Sequence, residues 1–568
     1  MKKIPIGISD FKMLIDEDYL FIDKSELISE FWQSNGQTIL IPRPRRFGKT
    51  LNMSMLKYFF EKSNENNRYL FQGLNIENYK NMMDIQGKYP VIYLSFKDEK
   101  YSSFEYLQIG LRNLLSRLYK EHDYCLDNEK IHDVDKEYYS SIVNKKANII
   151  DLSDALKMLS EYLYNYYDEK VLILIDEYDV PIQASYVNNY YTEAIEFMRN
   201  LLSGAFKDNN SLQKGMITGI LRVARESIFS GLNNLKVESI LSHNFSDKFG
   251  FTDSDIEKLV LEYKVKEQFK NIKEWYNGYY FGEVTIYNPW SILNYLSSPK
   301  AGLKAYWVNS SSNDLVNILL SKGSEEVKKD LESLIKGTTI TKLIDENIVM
   351  EDIEKSSDNL WSFLLFTGYL KVNSQERIGL RDYYALSIPN LEVTTLYYGL
   401  IESWFKDTIT KQNYDMMMNS LVIGDIKIFG KMLRQFVLKS ISYFDVGGYE
   451  GEKVYHAFVL GMLISLDDTH EILSNRESGY GRYDVMIIPK DISKLGIVIE
   501  FKKLDPDDEE TLEETADVAL KQISCKKYTT TLKSKGITNI KEIAIVFKGK
   551  EIYIKERKTN ISTIPSKY

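Results

Sequence analysis

The sequence predicts an α/β chain with an N-terminal doubly wound sheet, a mainly helical middle and a smaller C-terminal α/β module. Three observations predict it. Continuous apolar strands alternate with amphipathic helices over the first 245 residues, as in βαβ units of a parallel sheet. From about residue 250 helical patterning dominates, broken by turns such as Asn277-Gly278 and Asn288-Pro289. After Gly447-Gly448-Tyr449-Glu450-Gly451 a helix, three strands, a helix and two strands follow in order. The expected domains are therefore 1–245, 246–445 and 446–568.

The first helix candidate runs from Ser25 to Gln33, and the first strand from Thr38 to Pro42. A loop, Arg43 to Gly48, leads into a helix from about Lys49 to Lys62, with Leu51, Met55, Tyr58 and Phe59 on one face. Val91–Phe96 reads as a strand, and Phe104–Tyr119 and Asp154–Tyr167 as helices. Val171–Ile175 and Gly215–Leu221 are apolar throughout, the pattern of strands buried on both faces of a parallel sheet. The C-terminal module opens with a helix over Glu452–Leu466 and strands near 471–477, 482–488 and 495–501. An acidic loop, Asp505 to Glu510, precedes a helix over Leu512–Tyr528 and strands near 541–547 and 551–555.

Composition narrows the function classes. At 568 residues the chain exceeds one hydrophobic core, and 44% hydrophobic with 27% charged residues is an ordinary globular balance. A net charge of -9 argues against coating nucleic acid by overall charge and leaves room for a local basic groove. Cys125 and Cys525 fall in different modules, which disfavours a disulfide framework or a Cys-rich zinc site, and the histidines show no metal-ligand spacing. The longest nearly apolar run, Ala457–Leu466, is too short to span a bilayer, and no stretch has signal-peptide form. The expected location is the cytoplasm, with no membrane partner.

Gly48-Lys49-Thr50 lies between an expected strand and an expected helix. Backbone N–H groups at a helix N-terminus favour an anion, a lysine there reaches the β- and γ-phosphates, and the threonine hydroxyl can join a Mg²⁺ shell. Arg43 stands where such loops usually carry their first glycine. Either the extra charge of Arg43-Pro44-Arg45-Arg46-Phe47 helps hold phosphates, or the loop differs in geometry. Val171–Ile175 ends in Asp176-Glu177, where a carboxylate at a strand tip can hold Mg²⁺ and its neighbour can orient water. Thr218 closes another strand and is a candidate γ-phosphate sensor, while Arg222 and Arg225 are either phosphate contacts or surface arginines. The candidate nucleotide residues are thus Arg45, Arg46, Phe47, Gly48, Lys49, Thr50, Asp176, Thr218 and Arg222, with Thr50 and Asp176 on the metal and Glu177 catalytic.

The second constellation is Asp484 followed by Glu500-Phe501-Lys502. Glu500 and Lys502 alternate on one strand and so share a face. Carboxylates on adjacent strands can hold Mg²⁺, with Mn²⁺ an alternative, against a phosphodiester while the lysine positions the nucleophile. Glu452 and His456 sit one turn apart on the preceding helix. Glu452 either faces the metal or is a solvated helix start, and His456 either packs or ligates.

The stretches Pro5–Phe11, Phe21–Ser25, Arg43–Thr50, Leu172–Asp179, Thr218–Arg222, Phe229–Asn234, Trp275–Tyr279 and Tyr287–Ser291 resemble the AAA-ATPase-like family of P-loop NTPases. The Asp484…Glu500-x-Lys502 pattern resembles the PD-(D/E)XK nuclease superfamily, some of whose members carry a helical Gln followed by Tyr, here Gln522 and Tyr528. The resemblance implies an ATP-binding (or other NTP-binding) module joined to a metal-dependent nuclease, with Asp484, Glu500, Lys502, Glu452 and Gln522 as its candidate active residues. It implies nucleic acid as partner, DNA ahead of RNA, and leaves open an oligomer. The alternative is a nucleotide-dependent switch or scaffold whose nuclease fold binds without cutting.

Overall fold

The structure is a computed structural model. It describes all residues except 1, 129–130, 223–233, 311–312, 322, 336, 348–349, 354–355, 407–410, 441–461, 464–465, 467, 475–476, 479–480, 483, 505–509, 549–550 and 560–568. It divides into two compact units, residues 1–319 with 339–393, and residues 320–338 with 394–568.

The first unit is built on a five-stranded sheet in the order β2-β3-β4-β1-β5. Its strands are β1 (Thr38–Pro42), β2 (Val91–Ser95), β3 (Val171–Asp176), β4 (Leu212–Gly219) and β5 (Leu235–Val237). Every pairing is parallel. Both faces are covered, which is why these strands read as unbroken apolar runs. Ile39, Ile41, Leu172 and Leu174 pack on one face with Phe31, Phe59 and neighbouring side chains from flanking helices.

The helices begin where capping chemistry allows. Helix Ile149–Tyr167 starts five residues before the expected Asp154, because the Asn148 side chain accepts the N–H groups of Ile150 and Asp151. Helix Lys49–Phe60 follows Gly48 in the left-handed region, φ +81°, a conformation glycine adopts without strain. Strand β4 ends at Gly219, not at the expected Leu221. The N–H groups of Ile220 and Leu221 go to the Asp179 carboxylate instead of a neighbouring strand.

The middle of the chain is not helical throughout. Two antiparallel three-stranded sheets interleave with its helices. One has β8 (Val284–Tyr287) between β6 (Phe251–Thr252) and β7 (Tyr279–Phe281). The other has β11 (Arg381–Ser387) between β9 (Ile340–Leu343) and β10 (Lys371–Ile378). These short strands lack a long apolar run, so the helical signal around them dominates the sequence.

The second unit holds a five-stranded mixed sheet in the order β12-β15-β16-β17-β18. Strands β12 (His470–Ser474), β15 (Val485–Pro489) and β16 (Gly496–Lys503) are antiparallel neighbours. Strand β17 (Ile540–Lys548) runs parallel to β16, and β18 (Glu551–Thr559) closes the edge antiparallel. A small hairpin, β13 (Glu477–Ser478) and β14 (Gly481–Arg482), precedes β15. Helix Leu512–Cys525 lies on the sheet through Ala516, Ala519 and Ile523 against Val498 and Ala544. It stops before the expected Tyr528. Lys527 turns left-handed at φ +54°, and the Tyr528 N–H returns to the Ile523 carbonyl at 3.1 Å. The expected helix Glu452–Leu466 and the Gly447–Gly451 boundary fall mostly outside the described residues. No helix among the described residues is long and apolar enough to cross a membrane.

Candidate functional sites

The loop between β1 and helix Lys49–Phe60 sits at the C-terminal edge of the parallel sheet, where ligands of open α/β sheets bind. Lys49 is only 5% exposed. Its ammonium donates to the Arg43 and Pro44 carbonyls, each at 2.9 Å, and so spans the loop from within. Burial lowers its pKa, and Glu177 and Asp176 are the main charges opposing that shift. At Gly48 a Cβ would meet nothing within 4 Å, so space lies open beside the helix N-terminus. A phosphate fits this cradle on two counts, the backbone N–H groups and the lysine.

Asp176 ends β3 fully buried. Its Oδ2 accepts the Thr50 hydroxyl at 2.8 Å, and its Oδ1 accepts the Thr218 hydroxyl at 2.6 Å. The three residues named from three separate stretches therefore meet in one cluster. A Mg²⁺ ion suits these oxygen donors and would supply charge neutralisation for a triphosphate. Glu177 follows at φ +52°, a strained backbone for a non-glycine residue, and burial raises its carboxyl pKa while Lys49 opposes the rise.

The remaining loop residues divide. Arg45 is half-buried and contacts Gln183 at 3.4 Å. Arg46 is exposed and lies 4.3 Å over the Trp290 ring. The Phe47 ring is fully buried against Tyr279 and Phe281, so only its backbone faces the ligand question. Arg222 lies just past β4, half-buried. Arg225 lies outside the described residues.

In the second unit, β15 and β16 pair with Val485 opposite Ile499, which sets Asp484 opposite Glu500 one step on. Asp484 sits in the bend before β15, not within the strand expected from Arg482. From there its Oδ2 accepts the Phe501 N–H at 2.8 Å. Glu500 is 2% exposed. Its Oε1 accepts Lys502 Nζ at 3.3 Å and also the Gln522 side-chain amide. Gln522 in turn donates to the Tyr528 hydroxyl at 3.3 Å. Glu500 Oε2 is buried without a hydrogen bond of good geometry. Burial first, then the neighbouring Asp484 charge, holds the Glu500 carboxyl well above the usual carboxylate range, against the pull of Lys502. A buried carboxylate with a bare oxygen, facing a second carboxylate, is a site short of positive charge. A divalent cation fits that deficit. Among the described residues no group of three or more His, Cys, Asp or Glu is placed so as to hold a metal ion together. Glu452 and His456 lie outside the described residues.

Comparison with known proteins matches the two sites separately. Residues 5–229 match a family model described as predicted AAA-ATPase, and residues 450–557 match a PD-(D/E)XK nuclease superfamily model. The chain pairs an AAA-ATPase-like domain with a PD-(D/E)XK nuclease superfamily domain. It is also 24% identical, over 94% of its own length and 94% of the other's, to an uncharacterized protein in the vnfD 5' region of Azotobacter chroococcum mcd 1.

Sequence reasoning missed how the AAA-ATPase-like loop is anchored. Arg43 is fully buried and points away from the phosphate side. Its guanidinium donates to the Pro42 and Glu238 carbonyls at 2.8 Å and to Phe245 at 3.3 Å, over the Phe249 and Phe281 rings. Burial lowers its pKa to about 9. The Arg43 charge is thus spent on backbone carbonyls that anchor the loop. Arg43→Gly, which restores the usual glycine, is expected to destabilise the protein by about 2–4 kcal/mol, because three buried carbonyls lose a charged donor. Urea unfolding checks this; an unchanged midpoint would show the anchor to be idle.

Glu392 was equally invisible. It is fully buried, accepts the Ser291 hydroxyl at 2.7 Å and the Trp307 N–H at 2.6 Å, and Trp307 Nε1 donates to the Arg45 carbonyl at 3.0 Å. Burial pushes its pKa from 4.5 to about 7, opposed by those hydrogen bonds. The folded state thus holds a proton that the unfolded chain has released. Stability falls as pH rises from 4.5 through about 7, by on the order of 3 kcal/mol for this group. Glu392→Gln, neutral throughout, is expected to flatten that part of the profile. Parallel slopes for both proteins between pH 4.5 and 7 would refute the assignment.

Proposed function

We propose that this chain is a nucleotide-dependent nuclease: it binds ATP or a related triphosphate at Lys49 and cuts nucleic acid phosphodiesters at Glu500. The observation that carries the reading is the buried Glu500, its Oε2 without a hydrogen bond, facing the half-buried Asp484 with Lys502 beside it. Asp484 and Glu500 would hold Mg²⁺ or Mn²⁺. The ion's part is to polarise the phosphodiester and to lower the pKa of bound water. Lys502 steadies the anionic nucleophile, and Gln522 fixes the Glu500 carboxylate through Oε1. Glu452 is a further candidate in this set.

In the AAA-ATPase-like domain, Lys49 and the loop N–H groups bind the phosphates, Thr50 and Asp176 hold the Mg²⁺, and Thr218 and Arg222 read the γ-phosphate. Glu177 accepts the proton of the attacking water. Arg45 and Arg46 add charge at the mouth of the loop. DNA is the favoured substrate over RNA, and domain limits of 1–245, 246–445 and 446–568 complete the reading.

A switch or scaffold that binds without cutting has one observation behind it: the described residues bring only Asp484 and Glu500 to the metal position, short of a three-ligand group. One assay separates the two. Purified protein is incubated with ATP or GTP, Mg²⁺ or Mn²⁺, and single- and double-stranded DNA and RNA, beside Asp484→Ala and Lys502→Ala. Metal-dependent cutting lost in both variants establishes the nuclease. Nucleic acid bound but left intact in every condition favours the scaffold.

A further inference from the structure

Asp179 stands three residues beyond Asp176 and precedes helix Val180–Val187 as its N-cap, yet its side chain does not cap that helix. The carboxylate, fully buried, reaches across to the segment after β4. Its Oδ2 accepts the N–H groups of Ile220 at 3.0 Å and Leu221 at 3.1 Å, and the Gln183 side-chain amide at 2.7 Å. The carbonyl of that same amide receives Arg45 from the phosphate loop at 3.4 Å. A continuous polar path therefore runs from Arg45 through Gln183 and Asp179 to the backbone that delivers Arg222.

Other contacts fasten the stretch from Thr218 to Leu221. The Tyr178 N–H donates to the Thr218 carbonyl at 3.1 Å, and the Arg43 N–H to the Gly219 carbonyl at 3.0 Å. The Tyr178 hydroxyl donates to the Leu221 carbonyl at 2.7 Å. Residue 219 must be glycine here: a Cβ would come within 2.7 Å of both Asp179 Oδ1 and the Tyr178 ring. Asp179 Oδ1 is buried with no hydrogen bond. Retaining a charged group with a bare oxygen is costly, so the carboxylate is held for what Oδ2 does.

We infer that Asp179 is a positioning residue that, with Gln183, sets the post-β4 segment bearing Arg222 against the phosphate loop. Binding depends chiefly on Lys49 and the loop amides; Asp179 makes no hydrogen bond to Lys49 and acts on it only as a third, lesser charge after Glu177 and Asp176. Its loss therefore falls on the hydrolytic step and spares ground-state affinity. The inference rests on the reading of this domain as a nucleotide hydrolase.

The test compares wild type, Lys49→Ala, Asp179→Ala, Asp179→Asn and Gln183→Ala in the full chain. Mg²⁺-ATP binding is measured by calorimetry, and hydrolysis in single turnover. Asp179→Ala is expected to bind ATP within about threefold of wild type and to hydrolyse it about 10- to 100-fold more slowly, the loss typical of a misplaced group. Asp179→Asn, whose amide oxygen can still accept both N–H groups, is expected to recover most of the rate. Gln183→Ala, at a half-buried surface position, gives a smaller fall with binding intact. If Asp179→Ala does not fold, Gln183→Ala decides: an unchanged rate overturns the inference. So does Asp179→Ala hydrolysing at the wild-type rate, or losing affinity in step with rate, as a mere strut would. Wild-type protein that binds ATP without hydrolysing it overturns the hydrolase reading and this inference with it, and leaves the nucleotide-binding site standing. Wild-type protein that binds no nucleotide overturns the nucleotide reading and this inference with it.

Discussion

Glu500→Gln is expected to lower metal-dependent cleavage by about 10²- to 10³-fold, the range seen when one group aimed at developing charge is removed. The substitution keeps the shape and the Oε1 bonds to Gln522 and Lys502, so the fold has little reason to change. What it removes is the negative charge that a divalent ion would meet. In the metal-free protein the glutamine should even stabilise, since burial and Asp484 already disfavour the Glu500 charge. The variant should therefore melt no lower than wild type while failing to cut, and should show weaker Mn²⁺ binding by calorimetry. A variant that cuts as well as wild type, in a preparation free of contaminating nuclease, would remove Glu500 from the active site.

Lys49→Ala is expected to weaken nucleotide binding by roughly 10- to 100-fold, the worth of one or two charge-assisted hydrogen bonds. The lysine also donates to the Arg43 and Pro44 carbonyls, so its loss loosens the loop as well as removing charge. Mg²⁺-ATP titration checks affinity. Nucleotide dependence of cutting is read separately, from cleavage with and without nucleotide. Unaltered affinity in the variant would move the phosphate site elsewhere, and cleavage in the variant with an unchanged nucleotide dependence would detach cutting from the Lys49 site.

The sheet was legible because its signal is local. Thr38–Pro42 coincides with β1, and Val171–Ile175 lacks only Asp176 of β3, since a strand buried on both faces announces itself by an unbroken apolar run. The residues brought to Asp176 were legible for a similar reason: strand tips and a Gly-Lys-Thr loop keep chemistry at predictable positions. Arg43 was not. Its partners Glu238 and Phe245 lie 195 and 202 positions along the chain, and nothing local to the loop says which way a guanidinium turns. Glu392 and Asp179 escaped likewise, because an acid in an apolar stretch carries no mark of the N–H groups that will surround it. The Tyr528 turn was missed because the helical pattern continues past Cys525, while the left-handed Lys527 that ends it leaves no clear trace in residue type.

The buried ring at position 47 bears on how this chain could be taken apart. Tyr279 and Phe281, which enclose it, and Trp307, which grips the adjoining carbonyl, all come after the five-stranded sheet is complete. The loop from Arg43 to Gly48 is thus no portable cassette. Its backbone belongs to the first half of the polypeptide and the rings that bury Phe47 to residues translated later, so a nascent chain that has just finished β5 still lacks the side chains that enclose this turn.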